Sequence, residues 1–218
     1  MAATATQATA TPQAQAVVSP MTRREFLYYI WFASMALVGL QTGAALLWFA
    51  YPRFKAGTFG GIFEIDISEL PPVDAGPKPF SGGRFWLVNI GDGIRNDPRQ
   101  PAEWRPAPGV RALYMICVHL GCLYSWIPTN NRFECPCHGS KYLASGTAIA
   151  GPANRNLDVF AVQAVDADGK VIDEVNRQTP LVNGEARTLN IQGAAKLRVD
   201  TGQRINGASN PNPREANA

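Results

Sequence analysis

Every cysteine and every histidine of this chain lies within two six-residue motifs. The first motif is Cys-Val-His-Leu-Gly-Cys at residues 117–122, and the second motif is Cys-Pro-Cys-His-Gly-Ser at residues 135–140. The 218-residue chain has four cysteines and two histidines in all. A hydrophobic core does not require such clustering, so the two motifs are expected to bind a metal, to crosslink the chain, or to do both.

Each motif pairs one cysteine with one histidine and adds one further cysteine. Two thiolates and two imidazoles suit either zinc or an iron–sulfur centre. Zinc sites are usually built from paired cysteines and paired histidines, whereas here each motif supplies one of each. The mixed arrangement favours a two-iron cluster in which one iron takes both sulfurs and the other takes both nitrogens. A zinc-stabilised binding module is the alternative.

The two motifs resemble those of the Rieske iron–sulfur proteins, in the branch found in cytochrome bc-type quinol-oxidising complexes. The resemblance implies one [2Fe–2S] cluster per chain. By position, Cys117 and Cys135 resemble the ligands of the buried iron, and His119 and His138 resemble those of the outer iron.

The same resemblance assigns the two remaining cysteines. The bc-type branch joins its extra cysteines as a disulfide that braces the cluster loops, and the matching pair here is Cys122–Cys137. One departure is Val118, where the family commonly has threonine. Valine keeps the β-branched shape and loses a hydroxyl, so the loop packing is expected to survive with small changes in hydrogen bonding.

Further residues resemble family positions around the cluster. Ser140 and Tyr142 match donors of hydrogen bonds to a bridging sulfide and to a cysteine ligand, and such bonds raise the cluster potential. Gly151 and Pro152 match the proline loop that covers the cluster, and Leu120 matches an apolar position that faces the quinol. Without the two motifs, these residues would indicate only loops, turns and core.

The resemblance implies an oxidoreductase subunit in a dimeric, multi-subunit complex. The resemblance implies that quinol, hydrogen-bonded to the exposed ligand histidine His138, gives up one electron and a proton together. The second electron passes to a b-type haem of a membrane subunit, and the head swings to deliver its own electron to a c-type cytochrome. The alternative is a membrane-anchored small subunit of a periplasmic oxidase, such as an arsenite-oxidase-like enzyme, which does not touch quinol.

Residues 26–52 contain no charged side chain. As a helix these residues would extend about 40 Å, which is enough to span a bilayer with some tilt. Aromatic residues crowd both ends of the segment, as they do at membrane interfaces. A buried helix of a soluble protein is the alternative, and so long an uncharged run makes it less favoured.

The segment Thr22-Arg23-Arg24-Glu25-Phe26-Leu27 resembles a twin-arginine export signal. A cluster is assembled where thiols stay reduced, whereas a disulfide persists in an oxidising compartment. Export of a folded domain reconciles the two requirements. Since no cleavage signal follows, the sequence predicts a retained single-pass anchor in the cell membrane, with the cluster domain on the periplasmic side.

The fold class predicted for the head is all-β, a Rieske-type antiparallel head tethered by one N-terminal transmembrane helix. Alternating or β-rich runs predict strands, and Asp168-Gly169 predicts a hairpin turn. The segment 92–108 contains four prolines and predicts a surface loop. The predicted strands are 63–67, 84–90, 110–116, 123–127, 159–165 and 170–175, with 189–191 and 196–199 as a further pair.

The predicted organisation has five parts. The net charge of +3 gives no indication of a nucleic-acid partner. The region after the proline loop is longer than the family suggests, and the sequence assigns it no purpose. The parts are a disordered cytoplasmic tail 1–21, a signal and anchor 22–52, a glycine-rich hinge 53–61, the Rieske domain 62–206 and a disordered tail 207–218.

Overall fold

The computed structural model describes residues 20–51, 57 and 59–210, which fall into an N-terminal and a C-terminal unit. The predicted N-terminal tail lies almost entirely outside this part of the chain. The helices are α1 (Arg23–Ala50) and α2 (Asp92–Arg95), with 3₁₀ turns at Ile67–Glu69, Ser81–Gly83, Ala102–Trp104 and Pro128–Asn130. The strands are β1 (Ile62–Asp66), β2 (Lys78–Phe80), β3 (Phe85–Ile90), β4 (Gly109–Tyr114), β5 (Ser125–Ile127), β6 (Arg132–Glu134), β7 (Lys141–Tyr142), β8 (Ala148–Ala150), β9 (Val159–Val165), β10 (Val171–Val175) and β11 (Lys196–Ile205).

Helix α1 is an uninterrupted apolar helix of 28 residues. Thr22 begins it with a capping box, since its hydroxyl accepts from the Glu25 N–H and its own N–H donates to the Glu25 carboxylate. An 18-residue window of the helix has a mean hydropathy of 1.6, and its side chains are exposed almost throughout. Length and composition are therefore those of a membrane span, as the sequence predicts.

The C-terminal unit, called the head below, contains two antiparallel sheets. Seven strands form the larger sheet in the order β1-β11-β9-β4-β3-β2, with β10 also paired to β9. Four strands, β5 to β8, form a smaller sheet in chain order. The edge strand β1 alternates, with Phe63 and Ile65 pointing inward and Glu64 exposed, whereas the central strands β3, β4 and β9 are buried along most of their length. The all-β class predicted for the head is confirmed.

One predicted strand pairing is wrong. Residues 189–191 do not pair with residues 196–199. Leu189, which is fully buried, bonds instead to Val110 at the start of β4. Lys196 begins the ten-residue strand β11, which lies between β1 and β9. Sequence alternation indicates that a strand exists, but its partner is fixed by burial against distant residues.

The segment 92–108 forms no strand, as predicted, but it does not lie wholly on the surface. Gln100 is buried, and its side chain bonds to the hydroxyls of Ser145 and Thr147 in the turn between β7 and β8. This buried amide is satisfied by other side chains, which makes its burial tolerable. The segment therefore braces the hairpin that leads away from the second motif.

A buried ion pair lies behind the same hairpin. The guanidinium of Arg111 on β4 donates to the backbone oxygens of Ser145 and Ala186 and lies 3.6 Å from the Glu185 carboxylate. Burial lowers the pKa of Arg111, and the charge of Glu185 opposes this shift. The residues after β10 thus reach back to the β7–β8 turn.

The head extends beyond its predicted end at residue 206. Ala208 and Asn210 are buried. The Asn210 side chain donates to the backbone oxygen of Ala148 on β8, and the Ala208 N–H donates to Glu185. Residues 207–210 are therefore packed parts of the head rather than a disordered tail, and residues 211–218 lie outside the described part of the chain.

The predicted hinge, residues 53–61, lies mostly outside the described residues. Its described end is held against the head. The ring of Phe59 stacks on Tyr114 with centroids 6.1 Å apart, and the Arg84 guanidinium lies 4.9 Å from the centre of the Phe59 ring. The N–H of Gly60 donates to the Thr201 hydroxyl. Phe59 and Gly60 are therefore packed parts of the head rather than parts of a hinge.

Candidate metal centre

The two motifs fold into six-residue loops that have the same backbone hydrogen bonds. In the first motif, the Cys117 N–H donates to the Cys122 oxygen over 2.7 Å, and the Gly121 N–H donates to the Cys117 oxygen over 3.0 Å. The second motif repeats both bonds at the matching positions, at 2.9 and 3.1 Å. The fifth residue of each loop has a positive φ, +84° and +74°, and glycine adopts this conformation without strain.

A disulfide joins the two loops between Cys122 and Cys137, as the family resemblance implies. It leaves Cys117 and Cys135 as free thiols, which are 1% and 4% exposed. The sulfurs of Cys122, Cys135 and Cys137 lie within 4.8 Å of one another. Two of these sulfurs are consumed by the disulfide, so this trio is not a ligand set.

The two histidines lie together, on a more accessible side than the free thiols. The imidazole centroids of His119 and His138 are 4.9 Å apart, and the ring planes are nearly perpendicular. His119 is half-buried and His138 is exposed. The donor set is therefore a buried pair of sulfurs and an outer pair of imidazoles, which matches a two-iron cluster held unequally by sulfur and nitrogen.

Ser140 supplies an independent test of whether an iron–sulfur cluster fits. The residue is 1% exposed, and its hydroxyl makes no hydrogen bond of ordinary geometry among the described residues, although it lies near enough to the Tyr142 phenol to lower the pKa of that phenol. A buried donor without an acceptor is costly. A sulfide of a cluster held by the flanking loops is an acceptor of the right kind, so the orphaned hydroxyl fits the group.

Tyr142 is fully buried, and its phenol oxygen lies 3.1 Å from the Cys117 sulfur. Burial raises the pKa of Tyr142 well above its usual range, and the neighbouring Cys117 adds to this effect. The phenol consequently stays protonated and can donate to a Cys117 thiolate.

The Cys135 thiol is costly to ionise without a cation. Burial raises the pKa of Cys135, and the adjacent Cys117 acts in the same direction. The backbone N–H groups of Cys137 and His138 act against this shift. Two adjacent buried thiolates need a positive charge between them, which iron provides.

The predicted proline loop contacts the second motif. Gly151 has φ +87°, and a Cβ at this position would lie 2.6 Å from the Cα of Ser140. Only glycine permits this approach. Pro152 is exposed, as is Leu120, with 70% of its surface accessible. Neither motif contains Asp, Glu, Lys or Arg, and the proline loop, residues 149–153, has none either.

The sequence prediction overlooked an aromatic group beneath the loops. Tyr124 and Phe133 are buried, with ring centroids 5.1 Å apart, and Tyr124 also contacts Tyr142. Burial raises the pKa of Tyr124 well above its usual value. One indication of this group was present in the sequence, the aromatic residue Tyr124 two positions after the first motif, but aromatic residues are found in most cores.

Comparisons with known proteins agree with this site. The family model of the Rieske [2Fe-2S] domain matches residues 99–161. The cytochrome b6-f complex iron-sulfur subunit 2 of Nostoc sp. (strain PCC 7120) is 52% identical over 152 residues, which is 67% of this chain and 82% of that protein. The cytochrome b6-f complex iron-sulfur subunit of Synechococcus sp. (strain JA-3-3Ab) is 31% identical over 155 residues, covering 68% of this chain and 85% of that protein.

Among solved structures, a hyperthermophilic respiratory Complex III has a chain with 27% identity and a TM-score of 0.35, and the match covers 66% of this chain and 98% of that chain. The family match and the two relatives carry the assignment. This chain belongs to the Rieske iron–sulfur proteins of the cytochrome bc type, and its cofactor is a Rieske [2Fe–2S] cluster.

Proposed function

We propose that this chain is the electron-transfer subunit of a membrane complex that oxidises quinol and reduces a c-type cytochrome. The observation that carries the proposal is the pairing of two buried thiols with an outer pair of imidazoles, in two motifs that contain no ionic side chain. An exposed imidazole beside a one-electron centre can take a proton where the electron leaves the substrate.

The roles of the ligands follow from their burial. Cys117 and Cys135 would hold the inner iron, and His119 and His138 would hold the outer iron. When bound, the cluster supplies a one-electron acceptor whose potential is set by hydrogen bonds to its sulfurs. Ser140 and Tyr142 donate such bonds, and Gly151 and Pro152 shield the site on a further side.

His138 is the residue that meets quinol. Its imidazole is exposed, so a ring nitrogen that does not bind iron can accept a hydrogen bond from a quinol hydroxyl and take its proton. His119 is half-buried and contributes more to holding the iron. The exposed Leu120 and Leu123 offer apolar contact around the histidines, which suits a hydrophobic ring.

The partners are a cytochrome b subunit, which takes the second electron, and a c-type cytochrome, which takes the electron from the head. The complex is dimeric. Helix α1 anchors the chain, and Arg23 and Arg24 in its first turn belong to a twin-arginine export signal. The disulfide is stable only in an oxidising compartment, which favours a periplasmic head.

Purification of the membrane complex through this chain tests the function. We expect b-type and c-type haems to co-purify, and added quinol to reduce the c-type haem in a reaction blocked by a quinol-site inhibitor. The matched control is the His138→Ala complex, which should keep its haems and lose the reaction. Co-purification with a larger catalytic subunit that carries no b-type haem, and no reaction with quinol, would favour the periplasmic-oxidase alternative instead.

Replacing Tyr142 with phenylalanine is expected to lower the cluster potential by several tens of millivolts. The lost hydrogen bond stabilises the more negative reduced state by about 1–2 kcal/mol, and for one electron about 1.4 kcal/mol corresponds to 59 mV. Voltammetry of the purified protein measures the shift. In the control Tyr114→Phe, the lost hydroxyl makes no hydrogen bond among the described residues, so the potential should not change. An unchanged potential in Tyr142→Phe would contradict the proposed hydrogen bond from Tyr142 to the cluster ligand Cys117.

A further inference from the structure

The hydrogen bond between Tyr142 and Cys117 depends on how the ring of Tyr142 is held. Its strand, β7, has only two residues, and a register shift interrupts its pairing with β8. Backbone pairing therefore fixes the position of the Tyr142 backbone but not that of its phenol oxygen. The phenol oxygen must stay within about 3 Å of the sulfur, because hydrogen bonds weaken steeply with distance and angle.

Tyr124 packs against Tyr142. The two ring centroids are 5.7 Å apart, with planes tilted by 44°. Tyr124 also meets Phe133 edge-on at 5.1 Å, and Phe133 pairs with Tyr142 across β6 and β7. Only 3% of Tyr124 is exposed, so its ring has fixed neighbours on several sides.

The far end of Tyr124 is itself anchored. Its hydroxyl donates to the backbone oxygen of Tyr114 over 2.6 Å. Tyr114 is the last residue of β4 in the seven-stranded sheet, and its N–H donates to the Asp158 oxygen. Tyr124 is therefore a strut that runs from the larger sheet to the tyrosine beside the sulfur.

We propose that Tyr124 is a positioning residue that holds the Tyr142 phenol against the Cys117 sulfur and thereby sets part of the cluster potential. This inference rests on the proposed roles of Cys117 as a ligand and Tyr142 as its hydrogen-bond donor. Tyr124 makes no hydrogen bond to the Cys117 sulfur among the described residues, and it acts on that sulfur through its ring contact with Tyr142.

Midpoint potentials of cluster-loaded, full-length variants test the proposal. Tyr124→Leu removes the strut, and Tyr124→Phe keeps the ring while removing its bond to Tyr114. We expect Tyr124→Leu to show most of the downward shift of Tyr142→Phe, and Tyr124→Phe to show a smaller part of it. The double variant Tyr124→Leu/Tyr142→Phe should have the same potential as Tyr142→Phe alone, because Tyr124 then has no hydrogen bond to maintain.

Trp126→Leu is the matched control. Trp126 packs against Phe133 with centroids 4.9 Å apart and makes no ring contact with Tyr142 among the described residues. Its loss should lower stability and leave the potential unchanged. This separates general loosening of the aromatic group from loss of position at Tyr142.

Each outcome decides a different statement. If Tyr142→Phe does not shift the potential, the proposed role of Tyr142 fails. If Tyr142→Phe shifts it and Tyr124→Leu does not, or if the two shifts add in the double variant, the role of Tyr124 is overturned. Should Tyr124→Leu fail to load its cluster, Tyr124→Phe decides: a lowered potential supports the strut, and an unchanged one overturns it.

Discussion

Replacement of His138 by alanine is expected to yield a head that no longer retains its [2Fe–2S] cluster. In the proposed site the outer iron would take its imidazole ligands only from His119 and His138, and no other histidine exists in the chain to substitute. His119→Ala should have the same effect. The measurements are the iron and sulfide content of the purified protein and its low-temperature paramagnetic resonance after reduction, both of which should fall to background.

Leu120→Ala provides the matched control for both histidine variants. Leu120 lies between His119 and the first-motif glycine, and its side chain is exposed. Shortening it preserves the loop and its disulfide, so the cluster signal should persist. A normal iron count and resonance spectrum in His138→Ala or His119→Ala would contradict the assigned ligands.

Removing the disulfide is expected to produce the largest loss of stability without a change of ligand. Cys122 and Cys137 are 15 residues apart, and closing a loop of that length stabilises a fold by about 3 kcal/mol. The double variant Cys122→Ser/Cys137→Ser should lose about this much free energy of unfolding and release its cluster faster. Denaturant titration followed by circular dichroism, and bleaching of the visible absorbance, measure the two effects.

Chemical reduction of the unaltered protein should reproduce the behaviour of the double variant. Cys117 and Cys135 remain in both, so the reduced protein and the serine variant differ only in the two non-ligand sulfurs. Equal unfolding midpoints and equal bleaching rates with and without the bond would show that the disulfide adds no stability to the two loops, each of which has its own internal backbone hydrogen bonds.

The metal centre was predictable because its chemistry is local in the sequence. The spacing of cysteine and histidine inside each motif fixes which side chains share a loop, and the glycine at the fifth position permits the turn. The disulfide came from family resemblance and is confirmed. The ligand roles themselves stay predictions until variants are measured.

The smaller sheet shows where sequence patterns lose information. Strands β6, β7 and β8 have two or three residues each, which is too short for alternation to be recognised. In contrast, β9 has seven residues, and its predicted bounds match the structure. The partners of Tyr124 and Leu189 are distant in sequence or belong to another sheet, so no local pattern indicated them.

The packed end of the head limits where the chain can be shortened in the laboratory. A truncation after residue 206 would delete the amide of Asn210, which caps the Ala148 oxygen, and the N–H of Ala208, which satisfies Glu185. The buried Glu185 carboxylate would then lie beside Arg111 with one hydrogen-bond donor fewer. Expression fragments of this head should therefore retain Asn210, whatever tag or linker follows it.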